Sequence, residues 1–239
     1  MKAGFLHGKM KTERKSVANG KESDVATRRS MSFALNLHHD REQFIRLGGK
    51  ILSPLLMELL HLKYLDRSHN YFDGLVSYLG NLSRLQYLDL SNIDTHNYGF
   101  GSIKWLSCLS NLEYLDLCHN QIQDVGWLKI ISGLTKLSTL RFTACFPPPP
   151  SLSSLSHINA SSTSLTAIYL GNNFLTFSIF QLLLNSSSTA NLVFLDLSTN
   201  ELSGSIPESF GNLCNLRVLD LSQNKLRGQL GFVIICLPV

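Results

Sequence analysis

The sequence predicts an α/β repeat fold, a right-handed solenoid with one short parallel strand per unit on its concave side and irregular, 3₁₀ or short helical segments on its convex side. Three observations predict it. The template L-x-x-L-x-L-x-x-N recurs as LKYLDRSHN from Leu62, LQYLDLSNI from Leu85, LEYLDLCHN from Leu112, LSTLRFTAC from Leu137, LTAIYLGNN from Leu165, LVFLDLSTN from Leu192 and LRVLDLSQN from Leu216. The steps between starts are 23, 27, 25, 28, 27 and 24 residues, the period of a leucine-rich repeat with modest insertions. Inside each unit the fourth and sixth positions point one way from a short strand and the fifth the other, so Leu195 and Leu197 are expected inward and Asp196 outward.

One such strand cannot bury its apolar side alone. Stacked neighbours supply the missing wall, and each fully buried Leu contributes about 1.5–3 kcal/mol. The ninth-position Asn of five units (Asn70, Asn120, Asn173, Asn200, Asn224) is expected to satisfy backbone groups at the turn, one above another.

Taken in chain order, residues 1–32 form a basic arm. The first thirty residues hold eight Lys and Arg against three acids, while the whole chain has a formal charge of +4, so the basic excess belongs to the arm and not to the body. Without interleaved aromatics or a recognition motif the arm reads as solvated and disordered, and no nucleic-acid partner is expected. It contains no apolar stretch of the kind a secretory signal needs. Residues 33–230 form the solenoid, which begins with a degenerate unit in FALNLHHD that places Leu35 and Leu37 on the template. Residues 231–239 leave the period. The run LGFVIICLPV is about half of what spans a bilayer, so no membrane span is expected.

Departures from the template carry their own expectations. Arg67 occupies a sixth position, where a buried charge is costly unless its head snorkels out, and loose packing is expected there. Ile93 and Cys145 replace the ninth-position Asn, and the segments that follow them are long insertions expected to bulge on the convex or lateral surface. One of these begins with FPPPP (Phe146 to Pro150), which reads as a stiff loop. The five cysteines show no ligand spacing and read as buried free thiols. In the stretch His38 to Asp40, His39 and Asp40 straddle the end of a degenerate strand with no third ligand in view, so no metal is expected. No cofactor motif, kinase pattern or nucleophile context occurs, and the chain is not read as an enzyme.

The segment NELSGSIPESFGNLCNL, from Asn200 to Leu216, has the form N-x-L-x-G-x-I-P followed by a G-N-L turn. It resembles the plant-specific class of leucine-rich repeats in receptor-like kinases and receptor-like proteins. LGGKILSPLLMELLHLKYLD, YLGNLSRLQYLDLS, IKWLSCLSNLEYLDL and NKLRGQL further resemble the subgroup of receptors for ethylene-inducing xylanase. The resemblance covers roughly residues 33–230. In that class Gly204 turns the backbone tightly and Pro207 ends an extended stretch forming a second, short strand face.

That resemblance implies non-catalytic recognition: a truncated receptor-like ectodomain for ligand perception in defence or developmental signalling, with a protein or peptide ligand and a co-receptor as partners. It implies a plasma-membrane or extracellular location, to which the chain itself adds neither signal peptide nor anchor. Two other readings remain beside it, an intracellular leucine-rich repeat scaffold or inhibitor, and a truncated gene product without independent function. The candidate contact strip is the concave face, with third-position Tyr64, Tyr87 and Tyr114, fifth-position Asp66, Asp89 and Asp116, then Arg141 and Tyr169. Tyr offers large contact area at low entropic cost, whereas the Asp row also reads as the habitual surface wording of the repeat. Arg141 is placed to pair with Asp116. Asn81, Asn159 and Asn185 stand in N-x-S sequons and are candidate glycosylation sites in an exported chain. An array without polar caps is expected to be poorly soluble when expressed alone.

Overall fold

In most units the backbone extends where a buried fourth-position side chain follows a half-exposed third, and stacking makes these short stretches into a sheet. The computed structural model describes residues 33–36, 60–70, 76–93, 102–148, 164–176, 178–184 and 191–227. Its strands are β1 (Phe33–Asn36), β2 (Leu62–Asp66), β3 (Tyr87–Asp89), β4 (Tyr114–Asp116), β5 (Thr139–Arg141), β6 (Ala167–Tyr169), β7 (Phe194–Asp196), β8 (Ser203–Gly204), β9 (Val218–Asp220) and β10 (Lys225–Leu226). Eight form one parallel sheet in the order β1-β2-β3-β4-β5-β6-β7-β9. The register is the template's: Leu65, Leu88 and Leu115 are neighbours, as are Asp66, Asp89 and Asp116. The degenerate first unit joins in the same way, with Leu35 opposite Leu65.

Fourth-position leucines from Leu65 to Leu195 and sixth-position Leu90, Leu117 and Leu197 are buried in one continuous core. The expected inward set is therefore inward. The last unit is looser, with Leu219 and Leu221 only half-buried. The convex side returns through 3₁₀ turns at Val76–Asn81, Lys104–Cys108 and Glu208–Asn212 and helical turns at Trp127–Ser132 and Ser178–Leu184. Trp127 packs on Phe142, and Phe180 meets Phe210 edge to face with ring centroids 5.2 Å apart. The Trp127 indole also donates to the Pro148 carbonyl at 3.2 Å, which holds the start of the FPPPP segment against the core.

The turn after each strand is the most regular feature. Its eighth-position residue is left-handed in all seven units: His69, Asn92, His119, Ala144, Asn172, Thr199 and Gln223, with φ between 52° and 61°. The ninth-position Asn then reaches inward as expected. Asn120 Nδ2 donates to the carbonyls of Leu117, Cys118 and Leu90, the last in the preceding unit, while its Oδ1 accepts from Ile93 N–H. Asn173, Asn200 and Asn224 repeat the pattern. Each side chain thus ties two turns together, meeting backbone groups that water cannot reach.

Two departures behave differently from expectation. Cys145 is a working substitute: its thiol donates to the Leu117 carbonyl at 3.0 Å, and its own backbone carbonyl accepts from Ile122 N–H. Arg67 does not snorkel; it is 2% exposed, and Leu62 and Leu65 beside it are fully packed. Burial pulls the Arg67 pKa down, and the Tyr78 phenol, from the convex turn, opposes this by hydrogen-bonding its guanidinium. A phenol supplied by the next turn makes a buried cation tolerable where an aliphatic core alone would not.

The plant-type second strand face is present. Gly204 has φ 88°, β8 pairs in parallel with β10, and Pro207 closes the extended stretch just before the Glu208–Asn212 turn. Of the cysteines, Cys118 and Cys145 are buried but Cys108 and Cys214 are exposed, which corrects the expectation that all are buried. The His38 to Asp40 segment, part of each insertion, and the basic arm and apolar tail lie outside the described residues.

Candidate functional site on the concave sheet

The parallel register brings every third-position side chain alongside the next. Tyr64 stacks on Tyr87 with centroids 4.2 Å apart and an interplanar angle of 14°, and Tyr87 on Tyr114 at 4.2 Å and 5°. This spacing follows from adjacent strands lying about 4.8 Å apart. Tyr114 O–H donates to Asp116 Oδ2 at 3.4 Å. Burial, and then the neighbouring charges, pushes all three above the ordinary tyrosine range, Tyr114 to about 12. They act as neutral donors and apolar surface.

The fifth-position Asp residues have a structural task. Oδ1 of Asp66, Asp89, Asp116, Asp196 and Asp220 accepts the backbone N–H two residues on, at 2.8 to 3.0 Å, and so turns the chain out of the strand. Asp66 and Asp116 lie on the concave face but are covered, at 8% and 5% exposure, whereas Asp89 is half-buried. Burial raises the Asp89 carboxyl to about 6; Ser91 opposes the shift, while Asp116 and Asp66 on either side add to it.

Arg141 ends the acidic run. Its Nε lies 2.8 Å from Asp116 Oδ2, an ion pair by distance whose N–H does not aim at the oxygen. Burial lowers the Arg141 pKa, but Asp116, Tyr114 and Cys118 outweigh it and hold the group above its ordinary value. The guanidinium sits over the Tyr169 ring with Cζ 4.6 Å from the centroid, a cation–π contact. Tyr169 in turn stacks on Phe194 at 4.5 Å. The eight residues singled out in the sequence therefore lie on one face, and Phe194 extends them. Phe194 occupies the same template position as Tyr64, so its register was the signal that could have found it. Asn81 is exposed at the end of its 3₁₀ turn; Asn159 and Asn185 lie outside the described residues.

Among the described residues, no group of three or more His, Cys, Asp or Glu is placed to hold a metal ion. No helix among them is long and apolar enough to cross a membrane.

The family model described as Leucine Rich Repeat matches residues 111–155, 191–213 and 215–237. The chain is built of leucine-rich repeats. This leucine-rich repeat chain is 39% identical over 198 residues to receptor-like protein EIX2 of Solanum lycopersicum, covering 71% of its own length and 19% of that relative. It is 34% identical over 194 residues to receptor-like protein EIX1 of the same organism, covering 72% and 19%. It thus spans about a fifth of the length of these relatives.

Among solved structures, it resembles the Arabidopsis receptor kinase HAESA in complex with the peptide hormone IDA and the co-receptor SERK1. That match has a TM-score of 0.59 and 29% identity, covering 76% of this chain and 29% of that one. It also resembles the plant peptide hormone receptor RGFR1 in complex with RGF2, with a TM-score of 0.57 and 30% identity, covering 76% and 27%. The leucine-rich repeat solenoid is thereby established, and it is similar to those of plant receptors.

Proposed function

We propose that this chain is part of a receptor-like ectodomain at the plasma membrane, where its concave sheet holds an extended protein or peptide ligand in defence or developmental signalling, together with a co-receptor. The observation that carries this is the continuous strip from Tyr64 through Tyr87, Tyr114 and Arg141 to Tyr169 and Phe194. Rings held in register by a sheet present a large, rigid, half-exposed area with hydrogen-bonding tips, so little side-chain freedom is lost on binding. Peptide and co-receptor complexes of the similar receptor HAESA support the assignment of ligand class and partner.

The test is selection of peptides from a random dodecapeptide library on the purified chain. Enriched peptides should bind at least tenfold more weakly to Tyr87→Ala, which removes the middle ring. Enriched peptides that bind that variant unchanged place recognition elsewhere and end this reading. Export is tested separately by endoglycosidase treatment of the plant-expressed protein: loss of a mobility shift in Asn81→Gln identifies a glycan there, and an unshifted wild-type protein argues against an ectodomain.

A further inference from the structure

Two convex turns are built alike. The sequences GNLS (Gly80 to Ser83) and GNLC (Gly211 to Cys214) stand at equivalent places, each Asn four residues before the leucine that opens the following template, Leu85 or Leu216. Asn81 and Asn212 each close a 3₁₀ turn. The backbone hydrogen bonds repeat as well: Leu82 N–H donates to the Leu79 carbonyl and Leu85 N–H to that of Leu82, as Leu213 N–H does to Phe210 and Leu216 N–H to Leu213. Leu79, Leu82, Phe210 and Leu213 are buried, which turns the Asn between each pair outward. Asn81 and Asn212 are both exposed, and so are Ser83 and Cys214 two residues on.

The two acceptor sequences differ in one atom of the third side chain, sulfur in place of oxygen. In an N-x-S sequon that hydroxyl hydrogen-bonds the transferring enzyme and holds the Asn amide in place. A thiol has the same reach and is a weaker donor and acceptor, so it does the same task less efficiently. Transfer takes place before the chain is packed, and the folded structure has only to leave room for a bulky product. An exposed Asn on a convex turn leaves it.

We infer that Asn212 is an N-glycosylation site with a cysteine-type sequon, in which Cys214 has the role that Ser83 has for Asn81. This rests on the reading of the chain as part of an exported ectodomain. The co-reactant is an oligosaccharide carried on a lipid pyrophosphate. The bond from Asn212 Nδ2 to the sugar C1 forms, the C1–O bond breaks, the lipid pyrophosphate leaves with the electron pair, and one amide proton passes to the enzyme's base. Glycans at Asn81 and Asn212 stand on convex turns, behind the sheet whose other face carries Tyr64 to Phe194, and leave that strip uncovered.

The test is release of glycans from the plant-expressed protein by a peptide N-glycosidase in heavy-oxygen water, which leaves a heavy-labelled Asp wherever a glycan stood. Mass spectrometry should find the label at positions 81 and 212. Asn212→Gln and Cys214→Ala should each abolish the label at 212 and keep it at 81, while Cys214→Ser should raise occupancy at 212 about twofold or more, since a hydroxyl bonds better than a thiol. Label at 81 with none at 212 overturns the inference and leaves the ectodomain reading standing. Label at 212 that survives Cys214→Ala overturns the role of the thiol. Absence of label at both positions overturns this site and the ectodomain reading together.

Discussion

The Cys145 thiol donates to the Leu117 carbonyl at 3.0 Å, filling the place that Asn120, Asn200 and Asn224 fill with an amide toward the corresponding carbonyl of the preceding unit. The site is buried, so that carbonyl has no water to turn to. Asn120 Nδ2 also donates to that carbonyl, so Cys145→Ala removes one of its two partners and should lower stability by about 0.5–1.5 kcal/mol, the net value of one hydrogen bond. Cys145→Asn should lie within about 1 kcal/mol of wild type, because it restores the ladder of the other units. Urea midpoints at constant m-value measure both, and an unaffected Cys145→Ala would remove the thiol from the ladder.

The same burial predicts the order of thiol reactivity. Burial, and then Asp116, pushes Cys118 to about 12, and burial also raises Cys145, while Cys108 and Cys214 are exposed. Iodoacetamide at pH 8 should label Cys108 and Cys214 in the native protein and reach Cys118 and Cys145 only on unfolding. Mass spectrometry of the labelled peptides reads this directly.

Asp89 makes stability depend on pH. Its folded pKa of about 6 lies above the unfolded value of about 3.9, so the native state binds the proton more tightly. Stability should therefore fall as pH rises from about 4 through 6 and then level off. Asp89→Asn removes this term and keeps the acceptor for Ser91 N–H. The variant should be more stable than wild type by about 1 kcal/mol at pH 7, after allowance for solvent screening, and equal to it near pH 4. A pH-independent difference would contradict the assignment.

Thr199 is a β-branched residue in the left-handed region, with φ 52°, where Asn92 and Asn172 occupy the equivalent place in other units. Thr199→Asn should raise stability by about 0.5–1 kcal/mol, because Asn tolerates that conformation better. Its amide can still donate to Gln223, as the Thr hydroxyl does. Thermal unfolding of the two proteins measures the gain.

Gly171 has little room for a side chain. A Cβ there would stand 2.9 Å from Asp196 Oδ2 and 3.0 Å from Ser198 Oγ. The carboxylate cannot swing aside cheaply, since Oδ1 accepts from both the backbone N–H and the hydroxyl of Ser198. Gly171→Ala should destabilise by about 1–3 kcal/mol, and hydrogen exchange should rise first at the β6 and β7 turns.

The array, its register and its inward leucines were legible in the sequence because a stacked strand must repeat its apolar positions at fixed offsets. The amide ladder was legible for the same reason: a turn buried at each repeat needs the same polar partner each time. The pairing of Arg141 with Asp116 also followed from register alone. Tertiary structure decided what depends on which side chain leans where. It placed Tyr78 at Arg67, let Cys145 stand in for Asn, covered Asp66 and Asp116 while using them as turn-forming acceptors, and brought Tyr169 onto Phe194. A one-dimensional template lists what each unit presents, but contacts between units depend on distances of a few ångströms across neighbouring turns, and those exist only once the units are stacked.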